Sequence, residues 1–268
     1  MGKNYRKALV FFIDILGSQD KNNFEELLHI NTIFHNELEK NQSLNKDYTV
    51  TERHIYTFSD CSYIVYDFKD GIDEDRKDIK RLFFQALYNT EQLIQKLLKG
   101  NFICRGGVSY GDVYYEKGRS LIFGPAVNRA YTLESKIAKY PRIVIDDFIA
   151  EKVLEYNNEI LLNEPEILRE SKSQINGDIV LKDTDDKYYL NYLNSIRQGF
   201  NYIEGSNLLG NLKKMSNSEI DRYKVNLDDS DDDKKKKESI IEKYNWLLKY
   251  IDNSYPVGEI TNLLMDFK

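Results

Sequence analysis

The sequence predicts an α+β domain over residues 1–195, a mainly antiparallel sheet with helices packed on one face, and a helical extension over residues 196–268. Three observations lead there. The order of signals is strand, helix, hairpin, helix, hairpin, helix, strand. Two pairs of strand-like runs lie close enough in sequence to be hairpins. The strand signals are also too frequent for the regular strand–helix alternation of a doubly wound fold.

The elements follow in order. Residues 8–16 (ALVFFIDIL) are short, β-rich and end at Gly17, as a buried strand does. Over residues 22–38, Phe24, Leu27, Leu28, Ile30, Ile33, Phe34 and Leu38 recur at helical spacing. Residues 48–58 and 61–68 read as strands with only Ser59 and Asp60 between them. Residues 81–98 form a second helix, with Leu82, Ala86, Leu87, Leu93, Ile94 and Leu97 on one side. Residues 102–110 and 112–115 suggest a second hairpin. A third helix starts at Phe123-Gly124-Pro125 and runs to about Ala138, before a strand over residues 142–146. Beyond Phe148 the pattern weakens, with a strand pair at residues 179–181 and 188–193. The acid-then-lysine run within residues 226–237 reads as a solvated connector or helix start, and residues 240–251 as an amphipathic helix.

Composition removes whole classes of function. Thirty-eight Lys and Arg against 44 Asp and Glu give a net charge of −6, which argues against a general nucleic-acid binder. Hydrophobic residues make up 41% of the chain, enough for a core. Two cysteines, Cys61 and Cys104, cannot make a disulfide framework, and the three histidines have no zinc-site spacing. Any metal must therefore sit on carboxylates. The polar residues 1–7 and the short apolar run after them match neither a signal peptide nor a membrane span, so the expected setting is a cytoplasm, away from membranes. The P-loop, the dinucleotide-binding glycine motif and the nucleophile elbow are all absent.

Two carboxylates stand out. Asp14 lies inside the most hydrophobic run of the chain, where an unpartnered charge is costly. Asp60 sits at the turn of the first hairpin, where an Asp also has an ordinary turn-forming role. Two carboxylates at strand ends on one sheet edge suit Mg²⁺ or Mn²⁺ rather than zinc, and such pairs serve phosphoryl or nucleotidyl transfer. Gly106 and Gly107, in a strand-like stretch, mark a bulge or a close backbone approach.

Four segments, in this order, resemble the class III nucleotidyl cyclases. They are Phe12-Ile13-Asp14-Ile15-Leu16-Gly17, Phe58-Ser59-Asp60, Arg105-Gly106-Gly107-Val108-Ser109-Tyr110-Gly111 and Gly124-Pro125-Ala126-Val127-Asn128. The likeness covers about residues 8–146 and implies a ferredoxin-like cyclase core. Purine cyclases carry a polar residue, Lys in the adenylyl enzymes, where this chain has Tyr56. A second base-reading position, Asp or Thr in adenylyl cyclases, is Leu121 here, which cannot hydrogen-bond an exocyclic amine. A tyrosine can instead stack on a smaller ring. Together with Ala130-Tyr131-Thr132-Leu133-Glu134 and Tyr140-Pro141-Arg142-Ile143-Val144, the pattern is similar to the pyrimidine cyclases of bacterial Pycsar anti-phage systems.

The resemblance implies the remaining expectations. Asp14 and Asp60, with the Ile15 carbonyl, would hold two Mg²⁺ or Mn²⁺ ions, and backbone N–H groups of Leu16, Gly17 and Ser18 would grip the triphosphate. Asn128, from the partner chain of a homodimer with shared sites, would orient the ribose. Thr132 stands where many relatives place an arginine for the reacting phosphate, and Arg105 or Arg129 would substitute for it. The expected reaction turns UTP into 3′,5′-cyclic UMP and pyrophosphate, as a signal to a separate effector. CTP as substrate, or a cyclase fold that keeps nucleotide binding without chemistry, are the alternatives. A diguanylate cyclase would need a Gly-Gly-Asp-Glu-Phe signature, which is absent.

Overall fold

A computed structural model describes residues 4–17, 23–43, 49–163, 178–198 and 202–254. The chain divides into two compact units, residues 1–192 and 193–268.

The first unit is built on a sheet ordered β2-β3-β1-β4-β6-β8-β7, with β5 pairing to β4. Its strands are β1 (Arg6–Ile15), β2 (Thr51–Phe58), β3 (Cys61–Phe68), β4 (Cys104–Tyr115), β5 (Ile122–Phe123), β6 (Ile143–Ile145), β7 (Val180–Lys182) and β8 (Tyr188–Leu190). All neighbours run antiparallel except β4 and β6. The order β2-β3-β1-β4, with α1 (Phe24–Ser43) and α2 (Ile79–Lys99) as crossovers, is the ferredoxin-like arrangement, and the α+β prediction holds.

β1 is the central strand and is buried along most of its length because both of its faces are covered. Leu9, Phe11 and Ile13 point to the face carrying α1, α2 and α4 (Asp147–Asn163). There Phe11 meets Tyr66 edge-on at 5.6 Å, and Phe83 of α2 packs against Tyr110 and Phe148. The side chain of Asp78 caps α2, accepting from the N–H groups of Lys80 and Arg81. Ala8, Val10 and Phe12 point the other way, into a second cluster with Tyr56, Val65, Val113, Tyr115 and the inner side of α3 (Pro125–Thr132). Helices on both faces correct the one-face expectation. α3 is short and contributes only small residues, Ala126, Val127 and Ala130, so it nests close to the sheet.

Other sequence expectations also shift. The second hairpin is one twelve-residue strand, β4, because Gly111 stays in the ladder opposite Ala8; the turn comes later, before β5. The third helix ends at Thr132 and widens into a π turn, Leu133–Ile137. α4 lies where the sequence signal fades. Its buried positions are only Ile149, Ala150, Val153 and Asn157, too small and too mixed to write a strong apolar stripe. The strand pair beyond it appears as β7 and β8.

The second unit holds α5 (Asn194–Arg197), α6 (Tyr202–Arg222) and α7 (Asp231–Asp252). The charge run is the start of α7. Ser230 caps it by accepting from the Asp233 N–H at 3.2 Å, and Asp231, Asp232 and Asp233 occupy the first turn, where the helix dipole favours acids. Among the described residues no helix is long and apolar enough to cross a membrane.

Candidate functional site

The end of β1 gathers the unusual carboxylates. In the ladder Asp14 sits opposite Cys61 of β3 and Arg105 of β4, so all three share one face at one level of the sheet. Asp60 occupies the two-residue turn between β2 and β3, beside Ser59 at a φ of +54°. Its carbonyl accepts a hydrogen bond from the Ile15 N–H at 3.3 Å, which ties the turn to the strand end carrying Asp14. Sequence-distant Asp14, Asp60 and Arg105 thus come together.

A further carboxylate completes the group. Glu134, on the π turn after α3, is 3% exposed, and its Oε1 lies 2.6 Å from the Arg105 Nε. The same Nε lies 3.5 Å from Asp14 Oδ2. The 2.6 Å contact is an ion pair without hydrogen-bond alignment. Electrostatics follow from the crowding. Burial raises the Asp14 carboxyl above its ordinary range; Arg105 opposes that shift and Asp60 adds to it. Burial, opposed by Arg105 and reinforced by Asp14, pushes Glu134 up to about 7. The Cys61 thiol rises to about 11, through burial and then the negative field of Asp60, Asp14 and Glu134. Such a site is short of positive charge.

The glycine pair explains how Glu134 arrives. A Cβ on Gly106 would lie 2.4 Å from the Phe12 carbonyl oxygen, and one on Gly107 would lie 2.2 Å from the Ala130 carbonyl oxygen and 2.5 Å from Leu133 Cβ. The close-approach reading is therefore right, and β4 has no bulge there. The π turn rests directly on Gly107. The local widening of such a turn re-aims side chains, and turns of this kind recur at functional sites.

The remaining predicted residues are placed as follows. Tyr56 is 7% exposed within the α3-facing cluster, and its hydroxyl donates to the Glu116 carbonyl at 3.2 Å. Glu116 in turn donates its N–H to the Leu121 carbonyl, so the two positions aligned with base reading meet at one loop. The Leu121 side chain is exposed. Asn128 is exposed on α3, and Thr132 donates its hydroxyl to the Asn128 carbonyl at 2.8 Å, bonding back to its own helix. Arg129 forks onto Asp146, with Nε at 3.0 and 3.2 Å from the two carboxylate oxygens, and is turned to that partner rather than to Asp14. The Leu16 N–H is committed to the Ile103 carbonyl at 2.8 Å, which removes it from the expected triphosphate cradle. Gly17 has a φ of +73°, a conformation suited to glycine, and Ser18 lies outside the described residues.

Sequence reasoning gave Glu134 no role. Its signal was the one used for Asp14: a carboxylate beside apolar Ala130 and Leu133 in a stretch that buries them.

Fit to a divalent cation follows from the donor set. Asp14 and Asp60 offer hard oxygen donors in a site short of positive charge. Among the described residues no group of three or more His, Cys, Asp or Glu side chains is arranged to hold a metal ion.

No family model matches the chain, and no curated protein matches it. Solved structures do. The monomeric guanylyl cyclase domain of the RhoGC fusion protein from the aquatic fungus Blastocladiella emersonii is 16% identical with a TM-score of 0.45, covering 70% of this chain and 96% of that one. The catalytic core of a rhodopsin–guanylyl cyclase with converted specificity, in complex with ATPαS, is 16% identical with a TM-score of 0.43, over 70% and 96% of the two chains. A bacterial light-regulated adenylyl cyclase is 18% identical with a TM-score of 0.39, over 57% of this chain and 46% of that one.

Proposed function

We propose that the protein is a nucleotidyl cyclase acting on a pyrimidine nucleoside triphosphate, UTP first and CTP as the alternative, and releasing a 3′,5′-cyclic nucleotide and pyrophosphate. The observation that carries this reading is the convergence of Asp14 and Asp60, joined through the Ile15–Asp60 hydrogen bond, beside Arg105. Asp14 and Asp60 would hold Mg²⁺ or Mn²⁺ with the triphosphate oxygens. When bound, such an ion neutralises the phosphates and lowers the pKa of an attacking hydroxyl.

The protein's own groups do the rest. Arg105 brings a fixed positive charge to the end of β1 that holds Asp14. The exposed Asn128 amide, from a second copy of the chain, is available to orient the ribose. The homodimer is supported by the exposed rings of Phe58 and Tyr131, each joined to the core through Tyr63 or Phe12. Pyrimidine choice is supported by the lack of a purine-reading side chain, since Leu121 is apolar and the Tyr56 hydroxyl is engaged by Glu116. A signalling role, with a separate effector for the cyclic product, belongs to the same reading.

One observation favours a second reading, a nucleotide-binding module without chemistry. Thr132 is bonded within its helix and Arg129 is held by Asp146, so neither serves the reacting phosphate. One experiment separates the two. The purified chain is incubated with each of the four NTPs and Mn²⁺, and products are resolved by mass spectrometry. Cyclic UMP or cyclic CMP is the expected outcome, lost in Asp60→Ala while the circular dichroism spectrum is kept. Nucleotide binding without any cyclic product selects the second reading, and full activity in Asp60→Ala removes the metal-pair assignment.

A further inference from the structure

Resting on the reading of Asp60 as a cation ligand, we propose that Asn31 of α1 is a positioning residue that fixes the turn carrying Asp60. The side-chain nitrogen of Asn31 donates to the Ser59 carbonyl at 2.8 Å and to the Leu27 carbonyl of its own helix at 3.0 Å. Only the NH₂ end of an amide carries two donors, so both of its hydrogens are committed. The bond to Leu27 orients the amide on the helix, and the second hydrogen meets the turn.

The acceptor gives that bond its effect. Ser59 sits at a φ of +54°, a left-handed conformation that strains a residue with a Cβ and suits glycine. Its carbonyl belongs to the peptide unit entering Asp60. The Asp60 carbonyl, in the peptide unit leaving it, accepts from the Ile15 N–H at 3.3 Å. The backbone on both sides of Asp60 is therefore held, once from α1 and once from β1. α1 is a firm support: the Asn23 side chain accepts from the Glu25 N–H at its start, Ile30 and Phe34 are buried, and His29 meets the Phe102 ring at 5.3 Å. One turn beyond Asn31, His35 Nε2 lies 3.2 Å from the Thr57 hydroxyl, so the same helix face also holds β2. Released from Asn31, Ser59 would relax out of the left-handed region and carry the Asp60 carboxylate away from Asp14.

Mn²⁺ binding to the full chain, read by electron paramagnetic resonance of free against bound ion, tests this without turnover. Hydrogen exchange of the Ile15 amide in the metal-free protein reads the turn itself. Asn31→Ala is expected to weaken Mn²⁺ binding about fivefold, as loss of one net hydrogen bond does, and to speed Ile15 exchange. Alanine is the better helix former, so α1 stays in place. Asn31→Leu keeps the bulk without the donor and is expected to match it. In a Ser59→Gly background the strain is gone, and Asn31→Ala is expected to weaken binding by under about twofold. His35→Ala leaves the Ser59 bond intact and is expected to bind Mn²⁺ as the wild type does. Wild-type affinity in a folded Asn31 variant overturns the proposal, as does unchanged Ile15 exchange. So does an equal loss in the Ser59→Gly background or in His35→Ala. If Asn31→Ala does not fold, Asn31→Leu decides by the same measurements. Asp60→Ala keeps the two levels apart. Its loss of Mn²⁺ binding with the Asn31 variants unaffected sinks only this inference, whereas Mn²⁺ binding untouched in Asp60→Ala sinks the cation-site reading with it.

Discussion

Replacing Gly107 by alanine perturbs the contact on which the π turn rests. The new methyl would lie 2.2 Å from the Ala130 carbonyl oxygen, 2.5 Å from Leu133 Cβ and 3.0 Å from the Glu134 nitrogen. Non-bonded heavy atoms settle at about 3.5–4.0 Å, so the helix end must retreat by about 1 Å. Two of the three obstructing atoms are backbone and cannot rotate away. Overpacking costs about 1–3 kcal/mol, and obstruction by backbone places this case at about 3 kcal/mol. Alanine's lower conformational entropy in the unfolded chain returns only about 0.5–1 kcal/mol. For a unit the size of residues 1–192, about 1 kcal/mol moves Tm by ~2–4 °C, so a net loss near 2 kcal/mol lowers it by ~4–8 °C. Scanning calorimetry reads this directly. Gly210, in α6, has nothing within 4 Å of an added Cβ, and Gly210→Ala is expected to gain up to about 1 kcal/mol. A Gly107→Ala protein melting within about 2 °C of the wild type would refute the packing argument.

Two further predictions concern charges away from the candidate site. Arg142 is fully buried, with Nη1 at 2.5 Å from Asp183 and 2.9 Å from Asp185, and so pins the β7–β8 hairpin to the rest of the sheet. Arg142→Ala should cost about 3 kcal/mol in urea unfolding and release hydrogen-exchange protection in β7 and β8 first; a loss under about 1 kcal/mol would mean the clamp carries little. Burial alone would raise the Glu52 carboxyl, but pairing with His54 and Lys117 holds it down at about 2, against an ordinary 4.5. A depressed carboxyl stabilises the fold above its unfolded value and loses that contribution as pH falls from about 4.5 toward 2. Lys117 is half exposed, which discounts the contribution to about 1–2 kcal/mol. Glu52→Gln should therefore trail the wild type by that amount in urea at pH 7 and draw level near pH 2; an equal gap at both pH values would remove the linkage.

Much of the core was legible because local chemistry wrote it. The run ending at Gly17 had to be a strand, the tight spacer at Ser59-Asp60 had to be a hairpin, and Asp14 was conspicuous because a charge inside an apolar run is costly wherever that run packs. α4 was not legible, since its buried side chains are few and mixed, Ile149, Ala150, Val153 and Asn157, and write no strong apolar stripe. The commitments of Leu16 to Ile103, Arg129 to Asp146 and Tyr56 to Glu116 were equally hidden, because each partner arrives from another element.

By itself the sequence determined the α+β class and most of the order of strands and helices, and it singled out Asp14 and Asp60 as unusual carboxylates. These rest on hydrophobic period, turn chemistry and the scarcity of histidine and cysteine, all of which are local or compositional. Only the tertiary structure decided which groups face those acids. Strand register set Arg105 opposite Asp14, and the approach of the π turn over Gly107 delivered Glu134 to the same guanidinium. Register and close approach are properties of pairs of elements, so the balance of charge at the site became visible only once β1, β4 and the turn after α3 were packed together.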